Sequence, residues 1–335
     1  VAQAELKALW QALEQATTLL QKNLHTSFLD AVIEAGEDLQ LGIRHEDGLP
    51  DAATTAKLKA LFAPINLRDY SPEELRQALQ LVLVKAITVD GIQPNQQVTP
   101  DAMASLASFM VTTFMPHFSP AATIVDPTAG TGNLLFAVMN QLHTATGSSL
   151  HGVGIDNDEQ LLGVASMSAA LQGLDVELLH QDALANLPVT AATLVVADLP
   201  VGFYPVDERA KQFATAAKSG HSYAHHLLIE QSVRMLAPGG LGLFFVPSDL
   251  FQTEEAAGLT AWLTQAALFQ GLLNLPKGFF TSATAQKALL VVQKPGGSAK
   301  QVKQVLLGEF PDLNDRAAFA QFVDSVHSWA AQNLA

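Results

Sequence analysis

The sequence predicts an α/β fold: an open, mostly parallel sheet of seven strands with an antiparallel hairpin at one edge, preceded by a helical domain. Three observations support it. The stretch Thr123-Ile124-Val125-Asp126-Pro127-Thr128-Ala129-Gly130-Thr131-Gly132-Asn133, followed by the apolar run 134–139, reads as strand, glycine turn and helix start, which in open α/β sheets is where a nucleotide-like ligand sits. Downstream, apolar strands alternate with helical segments, until two late strands follow each other without a full helix between them. Upstream, residues 1–92 read as helical.

In chain order, Leu6, Leu9, Trp10, Leu13, Leu19 and Leu20 recur at helical spacing, and Phe28, Leu29, Val32 and Ile33 begin a second helix. Gly36, Gly42, Gly48 and Pro50 punctuate the connection that follows. Ser71-Pro72-Glu73-Glu74 starts a further helix, with Ser71 as N-cap, Pro72 at the first helical position and Glu74 closing a capping box. Residues 1–92 are thus either an accessory domain that docks a protein partner or a lid over one edge of the sheet. A polar linker at 90–97 leads into the second domain, 93–335, where Thr99-Pro100-Asp101 opens a helix to about residue 115.

After the glycine turn, strand 150–155 ends in Asp156 and helix 158–171 follows. A third strand covers 176–179. The continuous apolar run Leu194-Val195-Val196-Ala197 reads as a central parallel strand. A helix over 225–236 is stopped by Pro238-Gly239-Gly240, and the fifth strand occupies 241–246. Residues 253–267 form a helix capped by Thr253, strands at 268–275 and 285–293 make the hairpin, and a last helix begins after about residue 311.

Composition narrows the function. With 335 residues, 49% hydrophobic and 15% charged, the chain is globular and long enough for two domains. Zero cysteines exclude disulfides, thiolate metal sites and a cysteine nucleophile. The amphipathic start is unlike a signal peptide, and no apolar run approaches the ~18 residues of a membrane span, so a cytoplasmic protein that meets no membrane is expected. The net charge of −14 opposes a polyanion. No Lys or Arg falls between Lys85 and Arg209; cations return at Arg209, Lys211, Lys218, Lys277 and Lys287.

The glycine loop has the spacing D-x-x-x-G-x-G. The third glycine of a dinucleotide loop would fall at Leu135 and is missing, while Asp126 is present. That favours a ligand with a cationic amino-acid tail over a pyrophosphate. Asp156, closing the second strand about 20 residues past the turn, suits a ribose diol because its two oxygens can both accept.

Asp126-Pro127-Thr128-Ala129-Gly130-Thr131-Gly132-Asn133 resembles the S-adenosylmethionine loop of class I methyltransferases, with their Rossmann-like sheet. The Asp-Pro opening and Asn133 are most similar to the N6-adenine DNA methylases, especially the modification subunit of type I restriction systems. The resemblance covers roughly residues 95–295. It implies S-adenosylmethionine as cofactor, held by Asp126, Thr128, Gly130, Gly132, Asn133 and Asp156, with Thr99 over its methionine end and Asp182 accepting from the adenine amino group.

The same resemblance implies an acceptor motif at Asp198-Leu199-Pro200-Val201, in which the Asp198 side chain and the Leu199 carbonyl accept hydrogen bonds from an exocyclic amine next to Pro200. These adenine methylases carry an aromatic where this chain has Val201, which cannot stack on a base; Phe203 or Tyr204 would have to replace it. Lys211, after the motif, and Lys277, in a loop resembling one that borders the target pocket, are the expected substrate contacts. His221, His225 and His226 lack a third ligand for a metal, so none is expected.

Three functions fit these residues. One is N-methylation of adenine in nucleic acid, with DNA favoured by the resemblance and disfavoured by charge. Another is the same chemistry on a protein or ribosomal amine. The third is S-adenosylmethionine binding without catalysis, as a regulatory module. After the sheet about 40 residues remain, too few for a target-recognition domain.

Overall fold

The computed structural model describes residues 2–89 and 101–334. The predicted linker at 90–97 and the Thr99-Pro100 cap lie outside the described residues. The N-terminal region consists of α1 (Ala2–Leu24), α2 (Phe28–Leu41), α3 (Ala52–Phe62) and α4 (Pro72–Val89). The capping box forms as read: the Ser71 N–H donates to Glu74 Oε2 at 2.8 Å and the Glu74 N–H returns to Ser71 Oγ at 3.3 Å. Two readings need correction. Gly36 lies inside α2, where a Cβ would come 2.2 Å from Met167 Sδ, so it marks a close helix crossing and not a break. Helix α3 was hidden in the supposed connection because its burial is confined to Thr54, Thr55 and Leu58; its signal is Asp51, whose carboxylate caps the Thr54 N–H at 2.7 Å.

Next come α5 (Asp101–Phe114), β1 (Thr123–Asp126), α6 (Asn133–Thr146), β2 (His151–Asp156), α7 (Glu159–Gln172), β3 (Val176–His180) and β4 (Ala192–Asp198). The rest of the chain is α8 (Asp207–Ala210), α9 (Ala224–Met235), β5 (Leu236–Pro247), α10 (Ala256–Ala266), β6 (Leu268–Asn274), β7 (Lys287–Gln293), β8 (Leu306–Glu309) and α11 (Arg316–Asn333). The sheet has eight strands in the order β3-β2-β1-β4-β5-β7-β6-β8, with β7 alone antiparallel to its neighbours. The predicted hairpin is therefore present but does not form the edge. The four-residue β8, with a single buried residue, Leu306, pairs parallel to β6 outside it.

Two boundaries also shift. Pro238-Gly239-Gly240 lies within β5, where the pairing with β4 slips between Ala192 and Leu194; α9 has already ended at Met235. Helix α10 starts at Ala256 because Thr253 closes a turn through its carbonyl, which accepts the Ala256 N–H, instead of capping with its hydroxyl.

Strand alternation divides the core. Leu194 and Val196 of β4 pack with Leu241, Leu243 and Phe245 of β5 under α5, α6 and α11; Val195 and Ala197 pack with Phe244 and Val246 under α9 and α10. The N-terminal helices are not a detached module. Leu9, Phe28, Leu29, Leu75 and Leu79 share one apolar cluster with Leu161, Val164 and Met167 of α7. None of the helices among the described residues is long and apolar enough to cross a membrane.

Chain direction across the sheet reverses between β1 and β4: β2 and β3 are laid down on one side of β1, β4 and β5 on the other. A crevice opens at such a switch point beyond the carboxyl ends of the strands. Asp126, Asp156 and Asp198 are the last residues of β1, β2 and β4, so strand geometry alone brings three carboxylates to this edge.

Candidate cofactor and acceptor site

The loop after β1 wraps its own carboxylates. Asp126 is 1% exposed, and its Oδ1 accepts the Thr128 N–H at 3.0 Å. The Asp156 carboxylate accepts the Gly130 N–H at 2.8 Å and the Asp158 N–H at 2.9 Å. Gly130 and Gly132 have φ of +53° and +80°, backbone that favours glycine. Their roles differ. A Cβ on Gly132 would lie 2.3 Å from the Phe136 ring, whereas one on Gly130 would meet nothing within 4 Å. Gly132 thus lets the loop seat on α6, and Gly130 leaves space beside the loop.

One cleft is lined by Asp126, Thr128, Gly130, Asn133 and Asp156, together with Asp182 and, from the end of β4, Asp198, Pro200 and Tyr204. Most of the expected site residues are therefore brought together. Leu199 is 1% exposed, its side chain in the core and its N–H donating to the Phe245 carbonyl. Lys211 is an exposed partner of Glu208, and Lys277 borders a separate groove with Phe279 and Glu309. Neither lines the cleft: Lys211 caps the C-terminus of α8, and Lys277 sits in the turn after β6, two strands beyond β5 in the sheet order. Thr99 lies outside the described residues.

The two aromatics separate. Tyr204 is 8% exposed and donates its hydroxyl to Asp182 Oδ2, so it is part of the cleft wall and not a free stacking ring. Phe203 is 57% exposed and lies on Tyr223, with ring centroids 4.7 Å apart and planes 12° from parallel. The open aromatic surface beside the acceptor motif is therefore Phe203 on Tyr223, next to the exposed Val201.

Burial and crowding set the electrostatics. Asp126 is pushed up to about 8, first by burial, with the charges of Asp156 and Asp198 adding to it against the Thr128 hydrogen bond. Burial also raises Asp156, partly offset by the N–H groups of Asp158 and Gly130. Arg209 pairs with Asp182 and Lys287 with Asp198. An acidic cleft with a buried carboxyl of this kind favours a cationic ligand, whose arrival lowers the cost of ionising Asp126.

Sequence reasoning missed Arg76. It is 2% exposed on α4, bonds Glu73 and, at 3.0 Å, Asp101, and donates through Nη1 to Asn133 Oδ1 in the first turn of α6. A charged residue at a buried helix position was the available signal, but its partner is 57 residues away. Arg209 and Lys287 were visible as the returning cations, though without their partners. The three histidines have different surroundings. His221 precedes α9 and bonds Asp207 at 2.9 Å, while His225 and His226 are buried and depressed to about 3 and about 4, chiefly by burial. No cluster of three or more ligating side chains occurs among the described residues.

Residues 81–318 match the N-6 DNA Methylase family, and residues 7–87 match the YtxK N-terminal helical domain. The chain belongs to the N-6 DNA methylase family. The family-wide cofactor is S-adenosylmethionine, and the fold is the class I methyltransferase fold with an appended helical domain. The chain is 37% identical to the uncharacterized protein YtxK of Bacillus subtilis over 322 residues, 96% of each. It also superposes with a TM-score of 0.89 and 36% identity on a Listeria monocytogenes protein assigned to the class I S-adenosylmethionine-dependent methyltransferases, covering 98% of this chain and 99% of that one. A type I restriction-modification methyltransferase subunit from Streptococcus thermophilus shares the fold at a TM-score of 0.67 and 15% identity, over 94% of this chain and 74% of that one. A tRNA1(Val) (adenine(37)-N6)-methyltransferase of Pseudoalteromonas atlantica is 30% identical over 130 residues, 37% of this chain and 49% of that protein.

The cleft of this methylase fits its cofactor chemically. The buried Asp126 complements an amino-acid ammonium, Gly130 leaves room for close approach, and Asp156 offers carboxylate oxygens to a ribose. At the expected adenine end, Asp182 Oδ1 takes the Leu184 N–H at 2.8 Å, and Tyr204 and Arg209 share Oδ2, so an incoming amino group must displace or share one of them.

Proposed function

We propose that this protein methylates the exocyclic N6 amine of an adenine in nucleic acid. The observation that carries the reading is the position of Asp198: it ends β4 beside Thr128 of the cofactor loop, in one cleft with Asp126 and Asp156, and the open Phe203–Tyr223 stack follows five residues on. Bound S-adenosylmethionine supplies an electrophilic methyl group on a sulfonium.

The chain's own residues then have to place a weak nucleophile. An aromatic amine delocalises its lone pair into the ring, and an acceptor for its hydrogens draws the nitrogen toward the tetrahedral form. The Asp198 carboxylate provides that acceptor. Thr128 Oγ1 donates to the Asp198 carbonyl at 3.2 Å, tying the end of β4 to the cofactor loop so that the acceptor and the methyl source hold a fixed relation. Phe203, backed by Tyr223, offers its free face to a base turned out of its stack.

The formal charge of −14 opposes polyanion binding, so the reading assigns recognition of the nucleic acid to a partner protein docked on the N-terminal helices. Tritiated methyl transfer into fractionated DNA, RNA and protein, with digestion to nucleosides, is the test. Label in N6-methyladenine that disappears in Asp198→Ala while S-adenosylhomocysteine still binds supports the reading. Normal transfer by Asp198→Ala, or label confined to protein, refutes it.

A further inference from the structure

The acceptor carboxylate already has a counter-ion. Lys287, the first residue of β7, reaches across β5 to pair with Asp198 Oδ1 at the end of β4, and the two side chains are 23% and 21% exposed. Its backbone is fixed on both sides, since Lys287 pairs with Pro247 of β5 and its carbonyl accepts the Leu275 N–H at 2.9 Å. The ammonium thus projects from a strand and not from a mobile turn. Through Asp198 it meets a cleft whose other lining carboxylates, Asp126, Asp156 and Asp182, are held by backbone N–H groups, Tyr204 or Arg209.

We propose that Lys287 is the specificity-determining residue of the acceptor site, confining the nucleophile to an uncharged planar amine and turning away alkylammonium groups such as lysine side chains. This rests on the methyltransferase reading but not on adenine as the acceptor.

The reasoning is electrostatic. An aliphatic amine reaches the site protonated and needs a carboxylate with net negative charge to hold it and draw off its proton. Here the carboxylate at the acceptor end is neutralised by Lys287, and the incoming cation is repelled by a like charge in a partly buried, weakly screened setting. A nucleobase amine or a carboxamide carries no charge, so the pair costs it nothing beyond sharing Asp198 as hydrogen-bond acceptor. In the transfer itself the bond from nitrogen to methyl forms as the sulfonium–methyl bond breaks, leaving a neutral thioether, and the amine proton departs to solvent.

Calorimetry with two cofactor-site ligands tests this without any acceptor. Sinefungin carries a protonated amine where the sulfonium methyl would be; S-adenosylhomocysteine carries none. In Lys287→Met, Asp198 loses the ammonium beside it and should favour the cationic probe, raising the sinefungin preference over S-adenosylhomocysteine at least fivefold above the wild-type ratio. In Asp198→Asn the uncompensated Lys287 should lower that ratio at least fivefold. A Lys287→Met ratio within twofold of wild type, or a change of the same sign in both variants, overturns the proposal. S-adenosylhomocysteine affinity itself should stay within about threefold in both, which shows that each variant is folded. Failure of the wild type to bind S-adenosylhomocysteine sinks the cofactor reading and the proposal together. In the transfer assay, wild-type labelling of a carboxamide would refute adenine and leave the proposal standing, whereas efficient wild-type labelling of lysine amines would refute it.

Discussion

Replacing Asp126 with Asn should stabilise the cofactor-free protein while destroying its affinity for S-adenosylmethionine. Folding takes this carboxyl from an ordinary 3.8 to about 8, chiefly by burial. A group raised in the folded state contributes its full stability below the unfolded value and loses it as pH rises through the folded value, because the unfolded chain has by then released a proton the folded chain keeps. At about 1.36 kcal/mol per tenfold the burden is roughly 2 kcal/mol at pH 5.5 and on the order of 5 kcal/mol at pH 8.5. Asn keeps the acceptor for the Thr128 N–H and never ionises. Urea unfolding of wild type and Asp126→Asn at the two pH values should therefore show the variant more stable, with a gap that widens by roughly 3 kcal/mol toward pH 8.5. Calorimetry should show at least a hundredfold loss of S-adenosylmethionine affinity, since the ammonium loses its charged partner, and wild-type binding should release a proton below pH 8. A gap that stays flat or narrows with pH would refute the burial argument, and unchanged affinity would refute the assignment of Asp126 to the cofactor's cationic end.

Three further outcomes are expected. Arg76→Met should destabilise the protein by about 3 kcal/mol, the low end for removing one partner of a buried ion pair because Glu73 and Asp101 are 30% and 42% exposed, and weaken S-adenosylhomocysteine binding at least fivefold through Asn133; urea unfolding and calorimetry measure the two, and unaltered affinity would show that α4 does not brace the loop. Gly132→Ala should cost more than the roughly 1–2 kcal/mol of placing a Cβ in left-handed backbone because its Cβ meets the Phe136 ring, whereas Gly130→Ala should cost no more than that figure; equal losses in thermal unfolding would contradict this difference in space. His225 and His226 are depressed in the folded state, so their contribution to stability is present above about 6.5 and lost as pH falls toward about 3 to 4. Stability should drop by up to ~2.7 kcal/mol per pH unit through that window from these two groups, and His225→Phe should remove about half of the slope.

Whether a feature was legible depended on how far apart its parts lie along the chain. The Ser71–Glu74 capping box could be read because it closes its hydrogen bonds within four residues, and the Asp126–Asn133 loop because its glycine spacing and the Asp126–Thr128 bond are local, although its other bonds reach Asp156, Asp198 and Arg76. Helix α3 and strand β8 could not, since Thr54, Thr55 and Leu58, or Leu306 alone, give too little periodicity to distinguish a short element from a loop. Gly36 misled because a helical glycine needed for contact with Met167 looks the same in sequence as one that ends a helix. Phe203 and Tyr204 could not be told apart as the stacking ring because nothing local announces the hydroxyl bond of Tyr204 to Asp182, 22 residues earlier.

The sequence by itself determined the glycine loop of this protein and the carboxylates that end the strands around it: a strand, a turn of small residues and Asp126, Asp156 and Asp198 closing β1, β2 and β4, features set by backbone sterics and side-chain periodicity. Tertiary structure decided which charges meet. Arg76 with Asn133 and Lys287 with Asp198 span 57 and 89 residues and depend on how α4 packs and on the register of β7 against β5. Attraction between charges depends on their separation and burial in the folded chain, so these contacts, and with them the character of the acceptor site, exist only once the sheet is assembled.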